Sequence, residues 1–139
     1  MEPSPLKGCF NRVKVLLDAN ALMVPGQFGV DVFEELERLG FREFLVARPV
    51  LLEIEALAGL AGSRRDRTAA RIGLLLAERC EIFEASGGAD EALIAIAEET
   101  GAAVFTNDRE LKKKLSTRGV TVIHLRQRRR LEIANRKEF

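Results

Sequence analysis

The sequence predicts an α/β domain in which helices cover both faces of a mostly parallel five-stranded sheet. Three observations predict it. Five short apolar runs alternate in order with helical stretches, the pattern that yields parallel strands joined by crossovers. Glycines, among them Gly40, Gly59, Gly101 and Gly119, punctuate the helical stretches. The 139 residues hold no internal repeat and no linker that would divide them, so one domain is expected, long enough to bury a core without disulfides or a structural metal.

The elements follow in order. Val13 to Leu17 is β-branched and almost wholly apolar, as a buried parallel strand is, and Asp18 ends it. Asp31 to Leu39 has the helical period, with Val32, Phe33, Leu36 and Leu39 on one face. Phe44 to Ala47 is the second strand. Pro49 suits the first turn of the next helix, which runs to Leu57 before Gly59 and Gly62 break it. Ser63 opens a further helix, with Asp66 at the capping-box spacing and Ala70, Leu74, Leu75 and Ala77 as its apolar face. Glu81 to Phe83 is the third strand. Asp90 to Thr100 is helical, with Leu93, Ile94, Ile96 and Ala97 facing inward. Ala103 to Thr106 is the fourth strand, Arg109 to Leu115 a short helix, and Val120 to Leu125 the fifth strand. The basic remainder is expected to be helical or frayed. This divides the chain into an N-terminal extension (1–12), a folded domain (13–125) and a basic tail (126–139).

Composition excludes several classes. Hydrophobic residues make up 47% and charged residues 31%, with a net charge of +1, which argues against disorder. No apolar run approaches the ~20 residues that cross a bilayer, and the N-terminus lacks the apolar core of a signal peptide. A cytoplasmic protein with reduced thiols and no membrane partner is expected. Two cysteines, Cys9 and Cys80, stand far apart and support neither a disulfide framework nor a zinc site of paired thiolates. The small net charge hides a polarity. Arg109 to Phe139 carries 11 Lys/Arg against 3 Asp/Glu, a net +8, so the remainder is −7. Lys112 to Lys114 and Arg126 to Arg130 are its densest points. A basic segment on an acidic body suits a polyanion partner; it is equally a solvated helix face and a frayed tail. With no Trp or Tyr, phosphate contacts are a better expectation than bases stacked on aromatic platforms.

Open parallel sheets carry their active sites at the carboxyl ends of the strands. Asp18 ends the first strand, with Asn20 just beyond. Thr106, Asn107 and Asp108 end the fourth. Asp90 opens the helix after the third, and Glu53 lies in the first turns of the helix after the second. Four acids from four segments can therefore meet at one edge of the sheet, and their repulsion makes such a cluster costly unless a cation sits among them. Carboxylate oxygens suit the hard ions Mg²⁺ and Mn²⁺, and no histidine or cysteine accompanies them as zinc would require. A carboxylate-held ion beside a basic surface points to phosphodiester chemistry, in which the ion lowers the pKa of an attacking water and stabilises the leaving oxygen. Each residue also has a plainer reading. Asp18 could start a turn, Asp108 could cap the Arg109 helix, and Asp90 could be a helix-start residue favoured by the dipole. Glu53 competes with Glu55, about 200° around the same helix. Asn20 and Thr106 would orient a carboxylate or a water, or are ordinary turn residues. Ser86 and His124 read as structural.

Four stretches resemble, in order, the motifs of PIN-domain nucleases. Leu16-Leu17-Asp18-Ala19-Asn20-Ala21-Leu22 resembles the first and Val50-Leu51-Leu52-Glu53-Ile54 the second. Ala89-Asp90 followed by Leu93-Ile94-Ala95-Ile96-Ala97 resembles the third, and Val104-Phe105-Thr106-Asn107-Asp108-Arg109-Glu110-Leu111 the fourth. No single motif is specific; the four in order, spanning residues 13 to 125, are. Ala19 stands where the family usually has Thr or Ser, and Ile54 where it often has Leu. Neither departure touches an acid.

The resemblance implies a three-layer α/β/α sandwich and a Mg²⁺- or Mn²⁺-dependent endoribonuclease, with Asp18, Glu53, Asp90 and Asp108 as catalytic, metal-holding acids supported by Asn20 and Thr106. Water rather than the 2′-hydroxyl would attack, leaving 5′-phosphate and 3′-hydroxyl ends. Arg109 and Lys112, just after Asp108, and Arg64, Arg65 and Arg67 are the expected RNA contacts. Two branches matter: VapC-type toxins, which pair with an antitoxin, and stand-alone archaeal proteins resembling nucleases of small-subunit rRNA maturation. Val24 to Asp31 looks more like the second, so RNA processing is the leading expectation. The rivals are a toxin ribonuclease and a non-catalytic RNA-binding assembly factor. Expected partners are accordingly RNA, a second copy of the chain, and an antitoxin or a ribosome-assembly protein.

Overall fold

The computed structural model of the chain describes residues 13–60 and 63–135. The N-terminal extension, Gly62 and the last four residues lie outside these. Six strands form one sheet: β1 (Lys14–Leu17), β2 (Glu43–Ala47), β3 (Glu81–Phe83), β4 (Ala103–Phe105), β5 (Val122–Arg126) and β6 (Arg130–Ile133). Their spatial order is β3-β2-β1-β4-β5-β6, parallel except for the antiparallel β5–β6 pair. Seven helices among the described residues complete a three-layer α/β/α sandwich: α1 (Ala19–Leu22), α2 (Val24–Phe28), α3 (Val32–Arg38), α4 (Arg48–Leu60), α5 (Arg64–Ala77), α6 (Ala89–Thr100) and α7 (Arg109–Thr117). No helix among them is long and apolar enough to cross a membrane.

β1 lies at the centre because its residues have nowhere else to go. Val15, Leu16 and Leu17 are fully buried, which requires neighbours on both edges and cover on both faces. Leu16 pairs with Leu45 of β2 on one side and Val104 of β4 on the other. From β1 the chain first builds outward through β2 and β3, then returns to the other side for β4 and β5. The order therefore reverses between β1 and β4, and the crevice at the carboxyl ends of those two strands is where such sheets place their ligands.

Three local readings differ from the sequence expectation. Among the described residues after 125 there is neither helix nor frayed chain: Arg130–Ile133 is β6, with Leu131 fully buried, so the sheet has six strands rather than five. The alternation Arg-Leu-Glu-Ile carries that strand signal, and the arginine count obscures it. Two short helices, α1 and α2, occupy residues 19–28, where the sequence reading places no element. Pro25 is at the start of α2, where its missing N–H costs nothing. Gly26 lets α2 seat on α5, since a Cβ there would stand 2.6 Å from the Ala69 Cα. Finally, α4 continues through Gly59 to Leu60, and α5 buries Ala69, Ala70, Gly73 and Ala77 while Leu75 is 64% exposed.

Candidate active site

Asp18 sits where β1 hands over to α1. Its backbone remains extended (φ −76°, ψ 166°), and its N–H donates to the Phe105 carbonyl at 3.0 Å, adding a rung between β1 and β4. Its side chain is buried. Oδ1 accepts the Ala19 N–H at 2.8 Å, and Oδ2 accepts the Thr106 hydroxyl at 2.7 Å and the Asn20 amide at 3.0 Å. Burial pushes the carboxyl above its ordinary range. The bonds from Thr106, Ala19 and Asn20 pull it down and the charge of Asp90 pushes it up again, and the balance is upward.

Thr106, at the end of β4, is the hub. It is completely buried, and its hydroxyl donates to Asp18 while accepting from the Asp108 N–H at 3.1 Å and the Asn20 amide at 3.3 Å. One donor and two acceptor sites are the whole capacity of a hydroxyl. Asn20 in turn accepts the Asn107 N–H at 2.9 Å, and the Asn107 side chain accepts the Leu125 N–H at 2.8 Å. The ends of β1, β4 and β5 are thus tied by side chains that surround one carboxylate. Asn107 was not singled out by its sequence position. Only its place directly after a strand end hinted at it.

The other acids approach from the flanking helices. Glu53, on α4, is exposed in area, yet partial burial and the charges of Asp18 and Asp90 raise its carboxyl. Glu53 feels the charges of Asp18 and Asp90, whereas the charge of Glu55 is felt at Arg48. Asp90, in the first turn of α6, is raised first by burial and then by Asp108, with Glu91 and Glu110 adding to it and Lys114 opposing. Asp108 caps α7, its Oδ1 accepting the Leu111 N–H at 2.9 Å, so the plainer reading of this residue is correct as structure while its charge still reaches Asp90.

Lys114 thus opposes the rise at Asp90. Arg109 is exposed at the start of α7. Lys112 is half-buried and donates to His124 Nδ1 at 2.8 Å. Because an ammonium can only donate, His124 accepts there and carries its proton on Nε2, which faces Glu132 Oε2 at 2.9 Å. His124 is structural as expected, and what it holds in place is Lys112. Arg64 and Arg65 are exposed and Arg67 half-buried at the start of α5, a helix that carries none of the four acids.

Among the described residues, no three His, Cys, Asp or Glu side chains stand as a set ready to hold a metal ion. The donor chemistry nevertheless fits a hard divalent cation. The donors are all carboxylate oxygens, and Asp18, Glu53 and Asp90 are each raised in part by a neighbouring carboxylate, a repulsion such an ion would relieve.

A family model described as "PIN like domain" matches residues 15–128. Ribonuclease VapC9 of Archaeoglobus fulgidus is 36% identical over 127 residues, which cover 90% of this chain and 93% of that protein. Among solved structures, the PIN domain endonuclease Utp24 superposes with a TM-score of 0.73 at 22% identity, covering 89% of this chain and 92% of that one. A domain of a functionally unknown protein from Methanocaldococcus jannaschii gives a TM-score of 0.56 at 16% identity, covering 91% and 95%. At those identities the two structures speak for the fold alone. With a family match across most of its length, and a buried aspartate at the reversal point of its sheet, the chain belongs to the PIN-like domain family.

Proposed function

We propose that the protein is a Mg²⁺- or Mn²⁺-dependent endoribonuclease of the cytoplasm that hydrolyses RNA phosphodiester bonds in RNA processing. The observation that carries this reading is the buried Asp18 carboxylate, held by Thr106, Ala19 and Asn20 at the reversal point of the sheet, whose charge and that of Asp90 are both felt at Glu53. The 36% identity to a protein named as a ribonuclease supports it. A divalent ion, when bound, supplies polarisation of the attacking water and charge to offset the leaving oxygen. Thr106 and Asn20 fix the Asp18 carboxylate in one orientation, and Glu53, Asp90 and Asp108 complete the acidic set. Arg109 and Lys112 hold the phosphate backbone, with Arg64, Arg65 and Arg67 as a second set of contacts.

The VapC designation of that relative favours a second reading, a toxin ribonuclease held by an antitoxin. Leu52 and Leu75, 56% and 64% exposed on the packed pair α4 and α5, offer apolar surface for such a partner or for a second copy of the chain. Growth arrest on expression, relieved by a neighbouring small gene, would select the toxin reading over processing.

The test incubates wild type and Asp18→Asn with a pool of labelled RNAs in EDTA, Mg²⁺ or Mn²⁺. Cleavage by wild type alone, and only with metal, is the expected result. Equal cleavage by the variant would refute the site, and cleavage in EDTA would refute the metal. Salt-sensitive binding without cleavage would leave an assembly factor.

A further inference from the structure

The arginine-rich hairpin between β5 and β6 and the only exposed phenylalanine among the described residues meet in a place the acids do not explain. A cavity of about 520 Å³ is lined by Asn20, Gln27, Phe28, Asn107, Lys112 and Leu125, together with Gln127 and Arg128 of the hairpin tip. Its size falls in the range of about 300–1,000 Å³ typical of small-ligand sites. Asn20 and Asn107 are also members of the network around Asp18, so the cavity and the acids share a wall.

Three features of this cavity point to a flat, anionic occupant. Phe28, at the end of α2, is 38% exposed, and the Arg128 guanidinium lies 5.7 Å from its ring centre. That is an open arrangement: in the other such pair among the described residues, Arg79 sits 4.1 Å above Phe33 and the stack is closed. A ring held between the two groups needs them about 7 Å apart, two contacts of about 3.5 Å, so an exposed arginine has only to lift slightly. Next, the tip is strained. Gln127 and Arg128 have φ of 55° and 61°, and the Arg129 N–H closes the turn on the Arg126 carbonyl at 3.0 Å. Two successive positive φ values are the signature of a type I′ turn, which favours Asn-Gly. Here both positions carry long side chains, and both line the cavity. Finally, the ammonium of Lys112 is held at the wall by His124, with two further hydrogens to offer a phosphate oxygen.

We propose that Phe28 and the Gln127–Arg128 tip form a nucleobase subsite adjoining the acids: one unpaired RNA base stacks on Phe28 beneath the Arg128 guanidinium, Gln127 meets the edge of the base, and Lys112 takes a flanking phosphate. The subsite rests on the RNA reading above and deepens it, because a base held there fixes which phosphodiester is presented at Asp18. The tip is firmly mounted for the task. Arg126 pairs with Glu132 at 3.0 Å, and the outer edge of β6 is tied to α3.

The test measures binding of a fluorescein-labelled single-stranded RNA to the full chain in EDTA, against copies of that RNA carrying one abasic position at a time. Wild type is expected to lose about tenfold in affinity at one position, the order of a single stacked base. Phe28→Ala should show the same loss with the intact strand and no longer distinguish abasic from intact, while Phe28→Trp restores the distinction. Arg128→Ala, at an exposed turn, carries the same test should Phe28→Ala melt early. Wild type that binds all strands alike, or Phe28→Ala and Arg128→Ala that bind like wild type, would overturn the subsite. Metal-dependent cleavage of the same RNA is followed in parallel. Cleavage without base discrimination removes the subsite and leaves the nuclease; discrimination without cleavage removes the nuclease and leaves the subsite.

Discussion

Asp18 is held in a state that its surroundings partly oppose. Burial and Asp90 raise its carboxyl, while Thr106, Ala19 and Asn20 lower it. A raised folded-state value means that the native chain binds the proton more tightly than the unfolded one. The ionised form therefore costs stability, and that cost is absent at pH below the ordinary carboxylate range and grows as pH rises through the elevated value. In EDTA, the stability of Asp18→Asn relative to wild type should accordingly be greater at neutral pH than at acid pH, read as the difference of two melting curves. A difference independent of pH would mean that Asp18 titrates normally. Thr106 supplies a second test. Thr106→Val keeps the shape but removes the hydroxyl from Asp18, Asn20 and the Asp108 N–H, and should cost about 1–3 kcal/mol. It should also move the acid limb of RNA cleavage to higher pH, because Asp18 loses its shortest hydrogen bond. Thr106→Ser should leave both unchanged. Asp18 and Thr106 were legible in the sequence because each ends an apolar run. Their saturated network through Asn107 was not, because it depends on β1, β4 and β5 ending at the same level, which only register decides.

Elements were legible where period and punctuation agreed. β1, α3, α6 and β4 match their sequence readings to within about two residues. The reading failed where a tertiary contact decides. α2, where the sequence reading places no element, packs on α5 through Gly26. Further along, α5 meets α1 and α4 so closely that a Cβ on Gly73 would stand 2.9 Å from the Leu22 carbonyl oxygen and 2.6 Å from Ile54 Cδ1. Gly73→Ala gains helix propensity of about 1 kcal/mol but forces backbone apart, an overpacking cost of about 1–3 kcal/mol. Net destabilisation is the expected sign in a denaturant melt, and a stabilised variant would show that the helices separate freely. The far edge of the sheet is decided by side chains too. Glu35 Oε1 accepts the Leu131 N–H at 3.0 Å, and Arg38 donates to the Leu131 carbonyl at 2.8 Å while bonding Glu35 at 3.0 Å. These two residues of α3 occupy the exposed backbone groups of β6 as a seventh strand would, and so blunt the edge. Glu35→Ala should free the Leu131 amide, with faster hydrogen exchange confined to β6 and the hairpin. Exchange unchanged there would mean that β5 alone holds the strand.

The molecule as a whole is nearly neutral, and a uniform distribution of its charge would give RNA little to recognise. The charge is instead concentrated, with a net +8 on the residues from Arg109 onward. α7 starts from Asp108 at the end of β4, and the β5–β6 hairpin tip joins Lys112 of α7 in the wall of one cavity. On the proposed reading, RNA at Asp18 lies beside described basic residues of α7 and the hairpin tip, and counterions released from its phosphates favour the encounter. If Arg109, Lys112 and Arg129 each neutralise one phosphate, the logarithm of the binding constant for single-stranded RNA should fall with the logarithm of salt at a slope of about −2. Replacing Arg109 and Lys112 together by glutamine should reduce that slope by about 1.4. Replacing Arg64 and Arg65 discriminates between the two basic sets. A slope left at its wild-type value would assign the RNA path to the C-terminal elements. A slope reduced equally by both pairs would extend the path from α7 onto α5, making Arg64, Arg65 and Arg67 the second bank of one channel.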